Sequence, residues 1–234
     1  MGNDLRVRTN SGRRTFLQTV LSSAAVGAAA KAGIEFAAPE RLSAQTNLSP
    51  DSALQELVAG NQRFAANQLT SIAHDLTLLK EHTVDKQEPF AAVLACADSR
   101  VPVELVFDQT IGHIFVTRVA GNIVTPEIIA SLEYGIAVLQ VKTLLVLGHS
   151  SCGAVKAAMK AETVPGQISS LYAHLRQAVE QSDGSVDKAV EANAKIQANL
   201  LRTSSTVVRD AVKAGKLNVQ AAVYNLATGK VTLS

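Results

Sequence analysis

The 234-residue chain has no tryptophan, and only three tyrosines and six phenylalanines. Alanine, valine, leucine and isoleucine must therefore supply its packing. Beyond the first forty-odd residues it shows no basic stripe and no arginine-rich helix, which argues against nucleic acid or an anionic membrane as partner. Beyond the first forty-odd residues there is no internal repeat and no low-complexity tract. Its cysteines are two, Cys96 and Cys152.

The opening residues differ from the rest. Arg6 and Arg8 lead to the adjacent Arg13-Arg14, followed by Thr15-Phe16-Leu17 and an Ala/Gly/Ser-rich run from Val20 to Ala30. That run is too short and too weakly apolar to span a bilayer. A charged start, a short apolar middle and small residues beyond describe an export signal, and the paired arginines point to the twin-arginine route. A disordered tail or a mitochondrial-type presequence is the alternative, because early acidic residues are few. Ala38 and Ala44 both fit the cleavage point, and Pro39 to Pro50 reads as linker. Residues 1–44 are thus expected to be leader and linker. The destination would be the periplasm of a Gram-negative cell or the lumen of a photosynthetic one. Of the 22 basic and 20 acidic residues, six and three fall in this segment. The remainder holds 16 against 17 and is nearly neutral, so no membrane partner is expected after leader removal. Residues 45–234 suit a single domain with a sizeable core.

Within that domain, strand-like and helix-like stretches alternate. Ser49-Pro50-Asp51 is a helix start, with Leu54, Leu57, Val58 and Phe64 near helical spacing. A weaker helix is expected from Thr70 to His82. Pro89 to Ala95 and Ile114 to Val119 read as strands, with a short helix or turn between them from Val103 to Gln109. Pro126 to Leu139 fits a helix. The run from Thr143 to Leu147 reads as a fully buried strand that Gly148 ends, with Gly153 turning the chain into a helix from Ala154 to Ala161. Helices are expected over Ile168 to Gln181, Val186 to Leu201 and Thr206 to Ala214. Val219 to Leu226 reads as a strand, and Thr228-Gly229 turns into a last one from Lys230 to Leu233. The alternation predicts an α/β fold with a mainly parallel central sheet flanked by helices.

The chemistry gathers at two strand ends. His149 and Cys152 form an H-x-x-C pair where open α/β sheets place their sites. Alone, that pair reads equally well as a buried cysteine beside a hydrogen-bonded histidine. Cys96 and Asp98 follow a second buried strand in the same kind of junction. Two thiolates, an imidazole and a carboxylate make a tetrahedral zinc site if the two strands are neighbours. Arg100 lies two residues beyond Asp98 and can take it in a bidentate pair, drawing it off the metal. A disulfide between Cys96 and Cys152 is the rival in an exported protein, but it would not need His149, Asp98 or Arg100. Arg118 and Glu133 read as structural pins, His113 as a solvated loop histidine rather than a proton shuttle, and Tyr224 as strand packing.

From Ala53 to Leu233 the chain resembles the beta-class carbonic anhydrases. The resemblance lies in Cys96-x-Asp98-Ser99-Arg100, Phe115-Val-Thr-Arg118-Val-Ala-Gly-Asn122, Ser131-Leu-Glu-Tyr134-Gly, Gly148-His149-Ser-x-Cys152-Gly153 and Val223-Tyr224-Asn-Leu-x-x-Gly229. It implies one zinc ion per chain on Cys96, His149 and Cys152, with Asp98 alternating between fourth ligand and partner of Arg100. It implies reversible hydration of carbon dioxide to bicarbonate by attack of zinc-bound hydroxide. Gln87, Phe115, Tyr134 and Gly153 match positions of the small substrate pocket near the dimer interface. Four parallel strands in the order 2-1-3-4 plus an antiparallel edge strand are implied. So is a homodimer with N-terminal helices wrapping the partner, often paired into a homotetramer. Some members have a second, inhibitory bicarbonate pocket built with a tryptophan, which this chain lacks. Two alternatives accompany this reading: hydrolysis of a sulfur analogue such as carbonyl sulfide or carbon disulfide, and a non-catalytic zinc- or bicarbonate-binding protein.

Overall fold

A computed structural model describes residues 46–71, 83–161 and 163–234. The candidate leader and most of the helix expected from Thr70 to His82 lie outside these residues.

Five strands form one sheet: β1 (Ala91–Ala95), β2 (Ile114–Arg118), β3 (Thr143–His149), β4 (Asn218–Tyr224) and β5 (Val231–Leu233). Their order is β2-β1-β3-β4-β5. The first four run parallel and β5 returns antiparallel to β4 across the Thr228-Gly229 turn, as the alternation and the resemblance imply. The helices are α1 (Pro50–Ala65), α2 (Val103–Val106), α3 (Pro126–Ala137), α4 (Gly153–Lys160), α5 (Ser170–Glu180), α6 (Val186–Ser204) and α7 (Thr206–Lys213).

Every residue of β1 and β3 is buried, the mark of central parallel strands covered on both faces. On one face Val93, Leu145, Leu147 and Tyr224 pack with Leu57, Val106 and Phe107 of the α1–α2 side. On the other, Leu94, Leu144, Val146 and Val219 meet Leu132 of α3 and Leu201 of α6. Each fully buried branched side chain contributes about 1.5–3 kcal/mol, so the core needs no tryptophan.

Local signals set the ends of α1. Ser49 caps it, accepting from the Ser52 N–H at 3.1 Å, and Pro50 supplies a preset first turn. Asn61, buried on α1, donates to the carbonyls of Val106 and Gly229 and accepts from the Val231 N–H. One side chain thus ties α1, α2 and the terminal hairpin together. Gly60 makes room for this approach, since a Cβ there would stand 1.8 Å from the Phe107 carbonyl oxygen.

Two glycines act differently from what their positions in the sequence suggest. Gly148 does not end β3, which continues to His149. A Cβ on Gly148 would lie 3.0 Å from Val190 Cγ1, so the glycine serves the close approach of α6. Nor does Gly153 make the turn into α4. That turn is taken by Ser151 in the left-handed region, at φ 58°.

Candidate metal centre

Parallel pairing puts three carboxyl ends side by side. Ala95 stands level with Arg118 on one side and Leu147 on the other. Cys96, the turn after β2 and His149 therefore converge, and the bend at Ser150–Ser151 returns Cys152 to the same point. The ligand atoms of Cys96, His149 and Cys152 all lie within 4.8 Å of one another, and all three residues are buried. Both cysteines are free thiols rather than a disulfide.

His149 is prepared to bind through one nitrogen. Its Nδ1 lies 3.0 Å from the Ser150 carbonyl oxygen, an acceptor, so Nδ1 carries the proton. Ser150 is itself held, its N–H donating to the Tyr224 carbonyl and its Oγ accepting from the Leu226 N–H. Nε2 is left with a lone pair, buried and without a hydrogen-bond partner. An unpaired buried polar atom costs about 1–3 kcal/mol, and here it faces two thiols. This donor set fits zinc, which takes cysteine sulfur and histidine nitrogen in tetrahedral sites.

The thiols are electrostatically unequal. A hydrogen bond from Cys152 brings Cys96 down from the ordinary thiol range, against burial and with help from the Gly121 N–H. Cys152 is pushed upward by the same partnership and by burial. Cysteines bind metal as thiolates, so a dication bound here would release protons from the pair.

Asp98 stands beside the cluster, its Oδ2 3.7 Å from His149 Nε2. Arg100 holds it in a fork, Nε to Oδ1 at 3.0 Å and Nη2 to Oδ2 at 2.8 Å, with the Arg100 N–H adding a third bond. Those hydrogen bonds keep the Asp98 carboxyl well below the usual carboxylate range. Arg118, read from sequence as a structural pin, clamps this loop. It donates to the carbonyls of Cys96 (2.9 Å) and Asp98 (2.6 Å). Glu133 accepts from Ser205 Oγ at 2.6 Å, a helix-to-helix tie away from the metal ligands.

Of the remaining expected site residues, Gly153 adjoins the cluster and the others do not. Phe115 and Tyr134 meet each other with ring centroids 6.2 Å apart. Phe115 is level with Ala92, four residues and about 13 Å along β1 from Cys96. Tyr134 is 47% exposed. Gln87 is exposed and precedes β1, at the sheet end opposite the cysteines. His113 is at that end too, with its ring edge-on to Phe90. Gly153 follows Cys152, and a Cβ on it would meet nothing within 4 Å. It opens on a cavity of about 470 Å³ shared with Lys156, Ala157 and Met159.

Sequence reasoning missed the Gly121 N–H, which donates to Cys96 Sγ at 3.3 Å. Gly121 lies at φ 77° in the turn after β2. A glycine just past a strand was the available signal, but nothing local tied it to Cys96.

A parallel sheet carrying two thiols and an imidazole at its carboxyl edge defines an α/β protein with a thiol–imidazole cluster able to hold a metal ion. Residues 91–231 match the carbonic anhydrase family model. The chain is 33% identical over 205 residues to carbonic anhydrase 2 of Mycobacterium tuberculosis, covering 80% of this chain and 94% of that one. It is 34% identical over 198 residues to the carbonic anhydrase of Mycolicibacterium smegmatis, with the same coverage of 80% and 94%. Among solved structures, the Coccomyxa beta-carbonic anhydrase in complex with acetazolamide superposes with a TM-score of 0.60 at 29% identity. It covers 77% of this chain and 85% of that one. The chain belongs to the carbonic anhydrase family, in its beta class.

Proposed function

We propose that this protein catalyses the reversible hydration of carbon dioxide to bicarbonate and a proton. The observation that carries the reading is the His149 Nε2, buried without a partner between two free thiols and beside a carboxylate held by arginine. Cys96, His149 and Cys152 would hold one zinc ion. When bound, zinc acidifies a coordinated water, to a pKa of roughly 7 in three-histidine carbonic anhydrases and higher where two thiolates donate more charge. Asp98, held in the fork from Arg100, would accept a hydrogen bond from that water and so orient the water's lone pair toward the substrate. Arg118 fixes the backbone from which both Cys96 and Asp98 project. A purely structural zinc site is closed by four firm ligands and needs no arginine to hold one away, so the non-catalytic alternative is disfavoured.

Gln87, Phe115 and Tyr134 would line the small substrate pocket when a second copy brings its own set to the metal centre, the two rings supplying its apolar part and Gln87 a polar one. Exposed Tyr134 and Val138 at the end of α3, beside the edge strand β2, support a homodimer, with a homotetramer as its further assembly. Stopped-flow hydration across pH, with zinc assayed on the same sample, tests the whole reading. One zinc per chain with turnover rising on the alkaline side is expected. Zinc without hydration at any pH would turn attention to carbonyl sulfide and carbon disulfide. A monomer by light scattering would remove the shared wall.

The export reading rests on Arg13-Arg14, the apolar run after it and the near-neutral remainder. Residues 1–44 would carry the 45–234 domain out already folded, with its metal loaded. In cell fractionation, Arg13→Lys/Arg14→Lys should leave the protein in the cytoplasm. Unchanged export of that variant would refute the twin-arginine route.

A further inference from the structure

We propose that Asn193 is a positioning residue of the metal centre, acting on Cys96 through the Gly121 turn. The inference rests on the metal-centre reading above and extends it to a helix that carries no ligand.

On α6, Val190, Asn193, Ala194 and Gln197 fall on one face by their three- and four-residue spacing. All four are buried. Val190 presses on Gly148, the residue before His149. Asn193 Nδ2 donates to the Gly121 carbonyl at 2.8 Å. Gln197 Oε1 accepts from the Val124 N–H at 2.8 Å, and its Nε2 donates to Asn193 Oδ1 and to the His174 carbonyl. The two amides thus form a directed chain in which each orientation is set by the next. A carbonyl on Gly121 requires an amide N–H from Asn193, and an N–H on Val124 requires the oxygen of Gln197.

The turn between those anchors is one the backbone would not choose alone. Gly121 and Asn122 are both left-handed, at φ 77° and 42°, and Asn122 is a non-glycine residue there. Asn193 and Gln197 grip the turn at Gly121 O and Val124 N. In that conformation the Gly121 N–H points at Cys96 Sγ. Such a bond withdraws charge from a thiolate and fixes its direction, as outer partners of metal ligands do. Helix α6 therefore backs both half-sites at once: Cys96 through Gly121, and His149 through Gly148.

The test compares Asn193→Leu, which has nearly the same shape, with Leu201→Ala. Leu201 is fully buried on the same helix, in the core cluster that also holds Val124, and its side chain makes no hydrogen bond to the turn. Zinc affinity is read by competition with a chromogenic chelator. The cobalt-substituted proteins are read by their thiolate-to-cobalt charge-transfer band. Asn193→Leu should weaken zinc binding 10–100-fold and shift the band, whereas Leu201→Ala should lower thermal stability and move neither. If Asn193→Leu does not fold, Gln197→Met takes its place in the comparison, with a smaller shift in the same direction expected. The proposal is overturned if the folded variant keeps wild-type affinity and band, or if Leu201→Ala moves both equally. Wild-type protein that takes up neither zinc nor cobalt would sink the metal centre itself. Tight wild-type binding with an indifferent Asn193→Leu would sink this inference alone.

Discussion

Replacing Cys152 by serine is expected to abolish both metal retention and carbon dioxide hydration while leaving the fold in place. Cys152 is 1% exposed and sits at the turn into α4. Serine has nearly the same volume and preserves the backbone bond from the Lys156 N–H to residue 152. It removes one of three donors that lie within 4.8 Å of one another. A hydroxyl is a far poorer zinc ligand than a thiolate. The loss should exceed the 10–100-fold that removal of an outer partner costs. Zinc measured after dialysis against a chelator should fall to a small fraction of the wild-type content, with hydration at background. Full zinc retention in the serine variant would show that Cys152 is not a ligand. Loss of the fold with loss of metal would mean that the ion is structural.

The second large effect lies away from the metal. Asp108 has a fully buried side chain and left-handed backbone, at φ 45°. Its carboxylate accepts from Arg63 Nε at 2.5 Å, from Thr70 Oγ1 at 2.8 Å, and from the Thr70 and Ser71 N–H groups at 2.9 Å. It thereby joins the end of α1 to the loop after α2. Burial alone would raise this carboxyl, but Arg63, Ser71 and Thr70 together hold it well below the usual range.

Asp108→Ala should cost about 3–5 kcal/mol at neutral pH, as breaking a buried pair does. The lower end is expected because Arg63 keeps Glu56 3.5 Å away. Because the folded carboxyl titrates below the unfolded value of about 3.9, its contribution is complete above roughly pH 5. It is lost as pH falls through the folded value. Asp108→Asn tolerates the left-handed backbone but removes the titrating charge and one of the two acceptor oxygens, so it cannot keep all four hydrogen bonds. Urea midpoints taken at neutral and acid pH should therefore fall less steeply on acidification for Asp108→Asn than for wild type. Parallel slopes would show that Asp108 is not the acid-sensitive group.

The two half-sites were legible in the chain because each is local. Cys96-x-Asp98-x-Arg100 and His149-x-x-Cys152 each follow a buried apolar run, and their spacing alone permits a fork to Asp98 and a shared metal. The sheet was legible for the same reason, since strand and helix periods differ within a few residues. Boundaries moved by a few residues where packing rather than propensity set them, as at Gly148. The strand continues there because its ladder with β4 runs on through Gly148–Val223 and His149–Tyr224, and the glycine leaves room for α6.

Tertiary structure alone decided the rest. Whether Cys96 and His149 meet depends on β1 and β3 being neighbours, a pairing of residues about fifty apart that no local pattern encodes. The Gly121 N–H on Cys96, the Arg118 clamp on two carbonyls and the Asn193–Gln197 relay are contacts between segments far apart in the chain. Asparagine and glutamine on an amphipathic helix look like surface residues until burial makes each of their hydrogen bonds obligatory. Phe115 and Tyr134 matched the motif, yet Phe115 is level with Ala92, about 13 Å along β1 from Cys96, and Tyr134 packs against Phe115. Motif spacing constrains residues along one strand, whereas a pocket is set by surfaces that separate segments of the fold present together.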